Sequence, residues 1–431
     1  MESHDHASTP HPMRHVLSLR DFRLLFVGVS TSLLGDQFAL IATPWLVLQL
    51  TGDPLALGIV LALEGIPRAL FMLFGGAVTD RFSPRVIMLA ADIARLVLAA
   101  LMAVAVLTGM VHIWMLYVFA LGFGLVAGFA VPAGNSIVPL LVEEQDLQAG
   151  NSLVMGAGQL VGFVGPVVAG ILIGQFAESL VGVGLAFGID AATFAVSAIM
   201  LLLMRSGGRL PTPIASSATA AQESIGAAIV AGLRHVWADP PLRLIFLVIA
   251  AINFLFVGPI LVGVPVLADQ RLPEGALAFG LLMSGFAGGN LGGFLLAGIL
   301  PRPTGQTMRL LLLALLAVFG LALCIVAVIR MTWVDVSLMV LLGIGNGYVT
   351  ILLFTWIQTR TPRAMLGRMM SLLTLSSAGL VPVSQALAGT LGAWNVTLLF
   401  GLAGGCLVLL TLWVAVQPAL ATFSDSLVAN A

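Results

Sequence analysis

The chain has 431 residues, of which 60% are hydrophobic and only 9% are charged, with a formal net charge of −1 and a mean hydropathy of +1.11. Soluble domains carry about 25% charged residues, so this composition excludes a soluble fold. Apolar runs of about 20 to 28 residues are longer than the roughly 10-residue alternating strands of an outer-membrane barrel, and they predict an all-α integral membrane protein.

The first 20 residues contain His4, His6, His11 and His15 and lack the apolar core of a cleavable signal peptide. We expect residues 1–20 to form a disordered cytoplasmic tail. The irregular histidine spacing does not match a metal site, and both cysteines of the chain fall inside apolar runs. The sequence therefore predicts no metal, no disulfide framework and no cofactor.

Twelve apolar runs bounded by charges, proline and glycine predict twelve transmembrane helices in two pseudo-symmetric six-helix bundles. The N-terminal bundle, residues 21–204, is expected to contain helices at 22–50, 55–79, 86–109, 112–138, 147–175 and 179–204. The C-terminal bundle, residues 241–417, is expected to contain helices at 242–268, 275–300, 308–330, 332–357, 366–391 and 394–416. Residues 418–431 are expected to form a second cytoplasmic tail.

The polar segment 205–240 separates the two bundles, and we interpret it as a cytoplasmic linker. Ile225, Ile229, Leu233 and Trp237 recur at every fourth position within it. This spacing predicts an amphipathic helix that lies on the membrane surface.

Basic residues give the orientation of the predicted bundles. All 18 are arginines, and the alternation of spans places only Arg271 and Arg330 on the side opposite the other loop arginines. By the positive-inside rule, both termini lie in the cytoplasm. The halves also resemble each other at a fixed offset that aligns Gly58 with Gly280. Such doubling is typical of transporters that bind their substrate between two repeats.

The loop between the second and third helices carries the most specific local pattern, formed by Gly76, Asp80, Arg81 and Arg85. It resembles the Gly-x-x-x-Asp-Arg-x-Gly-Arg-Lys loop of the major facilitator superfamily. In that family the aspartate contacts the N-terminal end of a helix in the other half, where the helix dipole favours negative charge. The resemblance implies that these four residues form a conformational latch on the cytoplasmic side.

Further segments resemble the macrolide-efflux and enterobactin-exporter branch of that superfamily, whose members include drug:proton antiporters. Examples are Gly35-Asp36 in the first helix and Gly367-Arg368 near the eleventh. The fifth helix resembles the Gly-Pro motif that drug antiporters share, at positions Gly158, Gly162, Gly165, Pro166 and Gly170. Small residues in this arrangement also permit close helix packing.

Six ionisable side chains fall inside the predicted spans of the N-terminal bundle: Asp36, Glu64, Arg68, Asp92, Arg95 and Asp190. A charge facing lipid at mid-membrane costs about 2.5–3.5 kcal/mol, so these groups are expected to face the bundle interior. Asp36 lies at a depth similar to that of Arg68, and Glu64 lies one helical turn from Arg68, so either acid can pair with this arginine. The acid left unpaired is a candidate proton carrier, as is Asp190.

Asp92 and Arg95 lie three residues apart on the third helix and can neutralise each other. We interpret them either as a structural pair or as part of the proton-coupling set. In the C-terminal bundle the buried polar groups are neutral, and the candidate substrate-cavity residues are Asn253, Asn290, Asn346 and Gln385. Packing between helices is the alternative role for these amides.

The same residues predict a secondary transporter rather than an enzyme. The chain has no lysine and no Gly-x-x-x-x-Gly-Lys-Ser/Thr loop, which excludes an ATP-driven pump with its own nucleotide site, and it has no hydrolase motif. We expect a monomer in the lipid bilayer of a bacterial inner membrane, with no nucleic-acid partner. It would export amphipathic compounds such as drugs or siderophores in exchange for protons. A lipid or lysophospholipid flippase and a proton-coupled nutrient importer are the alternatives.

Overall fold

The computed structural model describes residues 12–79, 81–205, 233–234, 236–301, 303, 305–361 and 366–420. Within these ranges the chain is helical between its turns and contains no β-strand. Eleven helical stretches of this described part are long and apolar enough to span a membrane, among them the stretch Pro240–Arg271. A further long helix, Leu366–Trp394, packs among them. The predicted fold class, an all-α integral membrane protein, is therefore confirmed.

The first half of the molecule follows a short helix α1, Pro12–Ser18. Its long helices are α2 (Arg20–Thr51), α3 (Pro54–Thr79), α4 (Pro84–Leu107), α5 (Ile113–Ile137), α6 (Leu147–Gly174) and α7 (Val181–Leu203). Their bounds follow local chemistry. Gly52 ends α2 with a φ of 61°, a conformation that suits glycine, and Pro84 occupies the first turn of α4, where no N–H is needed.

The described part of the second half contains seven long helices that form six spans. They are α8 (Pro240–Ile252), α9 (Gly258–Arg271), α10 (Ala276–Ile299), α11 (Gly305–Val326), α12 (Thr332–Arg360), α13 (Leu366–Trp394) and α14 (Val396–Ala415). The bounds agree with the predicted spans to within a few residues at most ends. The repeated six-span halves of the prediction are therefore present.

The predicted helix 242–268 differs from the structure in one respect, because a π-helical turn, Asn253–Val257, joins α8 to α9. Pro259 accounts for this turn, since proline has no N–H to donate to the carbonyl one turn earlier and its ring displaces that carbonyl. The Ser384 hydroxyl on α13 donates to the freed carbonyl of Phe254. The first span of the second half therefore contains one widened turn near its middle.

The N-terminal region differs from the expected disordered tail. Val16 on α1 is fully buried in an apolar cluster with Phe22, and the Nδ1 atom of His15 lies 2.9 Å from an Asp146 carboxylate oxygen. Apolar burial and this polar contact therefore order residues 12–20, whereas residues 1–11 lie outside the described part of the chain. At the other end Leu420 is also buried, so the packed region extends past the predicted boundary at 418.

Most of the linker, including Ile225 and Ile229 of the predicted amphipathic helix, lies outside the described residues. Residues 236–238 at its end are helical. Val236 is buried in an apolar cluster of the second half, and Trp237 is exposed. The end of the linker is therefore held to the second half through Val236.

The bundle has two chemically different ends. The arginine-rich end is the one at which α2, α4, α6, α8, α11 and α13 begin. Its described arginines are Arg14, Arg20, Arg23, Arg81, Arg85, Arg205, Arg234, Arg243, Arg309, Arg360 and Arg368. The halves meet through α3 with α13 and through α6 with α10. Near the opposite end a Cβ atom at Gly58 would lie 2.9 Å from the Cα of Gly389, and one at Gly170 would lie 3.1 Å from the Cα of Gly280. Glycine therefore lets the two halves touch backbone to backbone at this end.

Candidate transport site

The contacts between α6 and α10 are closest toward the end opposite the arginine-rich end. Between α6 and α10 the contact line runs from the glycine pair near the opposite end to Phe163, whose ring packs on Gly288. Roughly two or three helical turns further along the same line, Met155 is 71% exposed and Ile299 is 78% exposed. The contacts found between these two helices therefore lie toward the opposite end, and both helices carry exposed apolar residues near the arginine-rich end.

The Gly-Pro motif predicted from the fifth span lies at this junction. Gly158 and Gly165 face α2, Gly170 faces α10, and Gly162 borders open space. The residue after Pro166 donates its backbone N–H to the Ser284 hydroxyl of α10 at 2.9 Å. This helix thus contacts both halves of the molecule, through glycines on two of its faces and through one hydrogen bond between the halves.

Arg68 and Glu64 form an ion pair on α3, with 3.5 Å between Nη1 and Oε1. Both side chains are partly exposed, Arg68 by 47% and Glu64 by 31%. Asp36 on α2 interacts with Arg68 at longer range and also with Arg95. Of the two acids predicted to compete for Arg68, the structure therefore pairs Glu64 with it and leaves Asp36 between two arginines.

The expected pair of Asp92 with Arg95 is replaced by other contacts. Asp92 accepts a hydrogen bond of 2.6 Å from the Ser197 hydroxyl on α7. The guanidinium of Arg95 lies over two aromatic rings, 5.6 Å from the centroid of Phe123 and 5.5 Å from that of Phe194. Cation–π contacts of this kind stabilise a partly desolvated arginine. Arg95 is consequently not neutralised by one acid and acts electrostatically on several.

Asp190 on α7 is fully buried. Among the described residues neither of its carboxylate oxygens has a hydrogen-bond partner. Its electrostatic neighbours are Asp36 and Arg95. Gly35 makes this approach of α2 and α7 possible, because a Cβ atom there would lie 2.5 Å from an Asp190 oxygen. Burying an ionised carboxylate without a donor is costly, so Asp190 stands out chemically among the six predicted residues.

Three of the six predicted ionisable residues border a cavity of about 260 Å³ in the first half, between α2, α4 and α5. Asp36, Asp92, Arg95 and Ser197 line it, together with Asn135, which sequence reasoning did not single out. The six predicted ionisable residues are thus brought into one electrostatically connected group beside this cavity. Below it is called the charged cavity.

A cavity of about 290 Å³ lies in the second half between α8, α11 and α12. Asn253 and Asn346 line it, and its lining contains no ionisable side chain. Asn290 instead lies between α10 and α12, where a Cβ atom at Gly347 would be 2.7 Å from its side-chain oxygen. Gln385 is buried on α13 at the contact with α3. Two of the four predicted cavity residues therefore share a cavity, and two lie at helix contacts.

The predicted latch is described only in part. Asp80 lies outside the described residues, and Arg81 is exposed in the loop after α3. Arg85 donates from Nε to the Leu201 carbonyl at 2.8 Å and from Nη2 to the Leu202 carbonyl at 3.1 Å. These carbonyls end α7 and have no partners within their own helix. In this conformation Arg85 therefore caps a helix of its own half.

Two acids of the second half were missed by sequence reasoning. Asp335 is fully buried, and within the described ranges neither of its carboxylate oxygens has a hydrogen-bond partner; Arg271 is its electrostatic neighbour. Asp269 on α9 accepts a hydrogen bond of 3.0 Å from Gln49 on α2 and so joins the halves near the opposite end. The sequence could have indicated Asp335, because it is an acidic residue one turn inside the predicted helix 332–357.

The two-half architecture and the loop motif match one known family. The model of the Major Facilitator Superfamily matches residues 25–381 of the chain. The chain belongs to the Major Facilitator Superfamily. One relative, the multidrug efflux pump Tap of Mycolicibacterium fortuitum, is 26% identical over 377 residues, which cover 85% of this chain and 88% of Tap. Another, the enterobactin exporter EntS of Escherichia coli, is 26% identical over 373 residues, which cover 86% of this chain and 85% of EntS.

Solved structures of transporters share the fold. The POT family transporter PepTSo superposes with a TM-score of 0.70 at 14% identity, covering 96% of this chain and 99% of PepTSo. The nucleoside transporter NupG superposes with a TM-score of 0.65 at 11% identity, covering 92% of this chain and 98% of NupG. The chain is therefore a multi-pass membrane transporter rather than an enzyme, and the family and branch inferred from the sequence motifs are confirmed.

Proposed function

We propose that this protein is a secondary active exporter that exchanges protons for amphipathic small molecules by alternating access. The observation that supports it most directly is an imbalance of charge inside the first half. Arg68 and Arg95 are shared there by four acids, namely Asp36, Glu64, Asp92 and Asp190. Two cations cannot neutralise four carboxylates, so closing this region away from water requires protons.

Asp190 is the proposed proton carrier, with Asp36 as its partner in exchange. Asp190 is buried without a hydrogen-bond donor among the described residues, and both Asp36 and Arg95 act on it electrostatically. Movement of Arg95 toward one acid leaves the other to hold a proton. Glu64, which is partly exposed and paired with Arg68, would pass protons between these two acids and the arginine-rich end.

Alternating access is supported by the unequal contacts at the two ends. Given the positive-inside rule, the arginine-rich end faces the cytoplasm, so the conformation described here would admit substrate from that side. Export then requires α3 and α6 to separate from α13 and α10 at the opposite end. In the closed cytoplasmic state, Asp80 with Gly76 and Arg81 would form the latch implied by the family motif.

The substrate class follows from the relatives and from the two cavities. Tap is named as a multidrug efflux pump and EntS as an enterobactin exporter, which favours drugs or siderophores as cargo over lipids or nutrients. An apolar cavity with neutral amides in one half and a charged cavity in the other suit an amphipathic molecule. We place the protein in a bacterial inner membrane as a monomer, with both termini in the cytoplasm.

The test uses proteoliposomes with the arginine-rich end outward and an acidic lumen. Amphipathic drugs and siderophores are added outside one at a time, and both substrate uptake and lumenal alkalinisation are followed. At least one compound should accumulate against its gradient and release protons in parallel. Accumulation should stop when an uncoupler removes the pH gradient.

The acids are then neutralised singly as Asp36→Asn, Glu64→Gln and Asp190→Asn. The matched control is Glu178→Gln, which changes an exposed acid in the loop after α6. At least one interior variant should retain downhill flux and lose uphill accumulation, while the control keeps both. If all three interior variants pump uphill with an unchanged pH dependence, proton exchange through these acids is wrong.

A further inference from the structure

We propose that the cavity of the second half, called here the neutral cavity, is an apolar copy of the charged cavity and binds the uncharged, aromatic or aliphatic body of the substrate. The protein would then carry molecules that are neutral where they enter this cavity. The inference rests on the proposed export function and adds the substrate class and its site.

The two cavities are lined by equivalent positions of the two halves. On α4 the charged cavity uses Met88, Asp92 and Arg95, and on α11 the neutral cavity uses Leu312, Leu316 and Phe319 at the same spacing. On α5 and α12 the same agreement holds at further positions. There Val131, Gly134, Asn135 and Val138 correspond to Thr350, Leu353, Phe354 and Ile357.

The first span of each half gives a third set of equivalent lining positions, in which one pair is displaced by a single residue. Val29 and Leu33 on α2 correspond in spacing to Ile249 on α8 and Asn253 at the start of the π turn. One turn later Asp36 corresponds to Val257, which lies one position further along the chain. The π turn Asn253–Val257 accounts for the shift, because such a turn holds one residue more than an α-turn. The cavities are therefore duplicates, and their agreement does not depend on one helix pair.

All three charged positions of the first cavity are apolar in the second. Asp36, Asp92 and Arg95 correspond to Val257, Leu316 and Phe319, and the Phe319 ring stacks on Phe256 with centroids 4.9 Å apart. A cation or anion placed in the neutral cavity would meet no counter-charge in its lining, and burying it there would be costly. An apolar group placed there would instead gain van der Waals contacts with the apolar lining and would have no charge to bury.

Three neutral polar groups remain in the neutral cavity: Asn253, Asn346 and Thr350. Asn253 donates from Nδ2 to the Ile249 carbonyl at 2.9 Å, so its side-chain oxygen is oriented. None of the hydrogen bonds found among the described residues involves the amide of Asn346. These groups can hydrogen-bond amide, ester or hydroxyl functions of a ligand without requiring charge. The cavity volume of about 290 Å³ is near the lower end of the range for drug-sized ligands.

The experiment measures protection of single cysteines from N-ethylmaleimide without any pH gradient. Both native cysteines, Cys324 and Cys406, are replaced by alanine, and Thr350→Cys reports on the neutral cavity. The matched control is Val131→Cys at the equivalent position of the charged cavity. The neutral probes are benzamide, chloramphenicol and progesterone, in order of size, and the charged probe is ethidium, a permanent cation.

At least one neutral probe should slow labelling of Thr350→Cys about fivefold at roughly four times its Kd, by mass action, and have little effect on Val131→Cys. Adding Phe319→Arg, which restores the charge found in the other half, should abolish this protection. Asn346→Leu, which keeps the side-chain size, should weaken it severalfold. Equal protection of both cysteines, stronger protection of Thr350→Cys by ethidium, or no protection by any neutral probe would overturn the proposal. Because no gradient is present, these results are independent of whether protons drive transport.

Discussion

Gly280→Ala is expected to shift the conformational equilibrium toward the state that is open at the opposite end. The added Cβ would lie 3.1 Å from the Cα of Gly170 and closer still to the Pro166 carbonyl oxygen. Both are backbone atoms, which cannot rotate away as a side chain can. Overpacking of this kind costs about 1–3 kcal/mol. The cost falls only on the conformation in which α6 and α10 touch, so the equilibrium should move by roughly 5- to 150-fold.

Two single-cysteine reporters in a background without native cysteines measure this shift. Leu277→Cys lies at the contact between α10 and α6, and Met155→Cys lies at an exposed position of α6 toward the arginine-rich end. With Gly280→Ala, maleimide labelling should rise at position 277 and fall at position 155. The control is Gly298→Ala on the same helix, where a Cβ would meet nothing within 4 Å. Unchanged labelling at both reporters would refute the assignment of this contact as a gate, and a rise at both would indicate unfolding.

Two further substitutions test the packing around the charged residues. Gly35→Ala should lower the free energy of unfolding by about 1–3 kcal/mol, because its Cβ would press on Asp190 and on the adjacent helix α7. The control Gly188→Ala, at a position that borders open space, should have no such effect. Equal melting temperatures for the two variants would contradict this prediction. Arg85→Gln should cost about 1 kcal/mol through the lost cap on α7 and leave most of the transport rate, as measured by melting temperature and initial uptake. A complete loss of transport at normal stability would instead assign Arg85 to the latch.

The positions of the helices could be predicted from the sequence because apolar length and proline or glycine boundaries are local signals. The location of the six ionisable residues within apolar runs of the first half could also be predicted, because it is likewise a local signal. The side chains that these six residues contact could not be predicted from the sequence. Asp36 could pair with Arg68 by depth and Glu64 by its spacing on the same helix, and only side-chain placement assigns Arg68 to Glu64.

The contacts of Arg95 show a second limit. Its two aromatic neighbours come from α5 and α7, and no spacing within α4 indicates which helices its face meets. Ser197 likewise reaches Asp92 from a distant part of the chain. The equivalence of the two cavities could not be predicted from the sequence either. It depends on which positions line each cavity on three pairs of helices, and one of these pairs is shifted by a π turn.

A neutral substrate has a consequence for energy coupling that can be measured directly. If an uncharged molecule leaves in exchange for one proton, each cycle moves one positive charge into the cell. The membrane potential then drives export by about 2.3 kcal/mol per 100 mV, which corresponds to roughly 50-fold accumulation. In proteoliposomes with the arginine-rich end outward, a lumen-positive potassium diffusion potential at equal pH should therefore drive a neutral substrate into the lumen. Asp190→Asn should abolish this response if Asp190 carries the proton. Uptake that responds to a pH gradient but not to the potential would mean that a second charge moves with the substrate, and a neutral cargo would be ruled out.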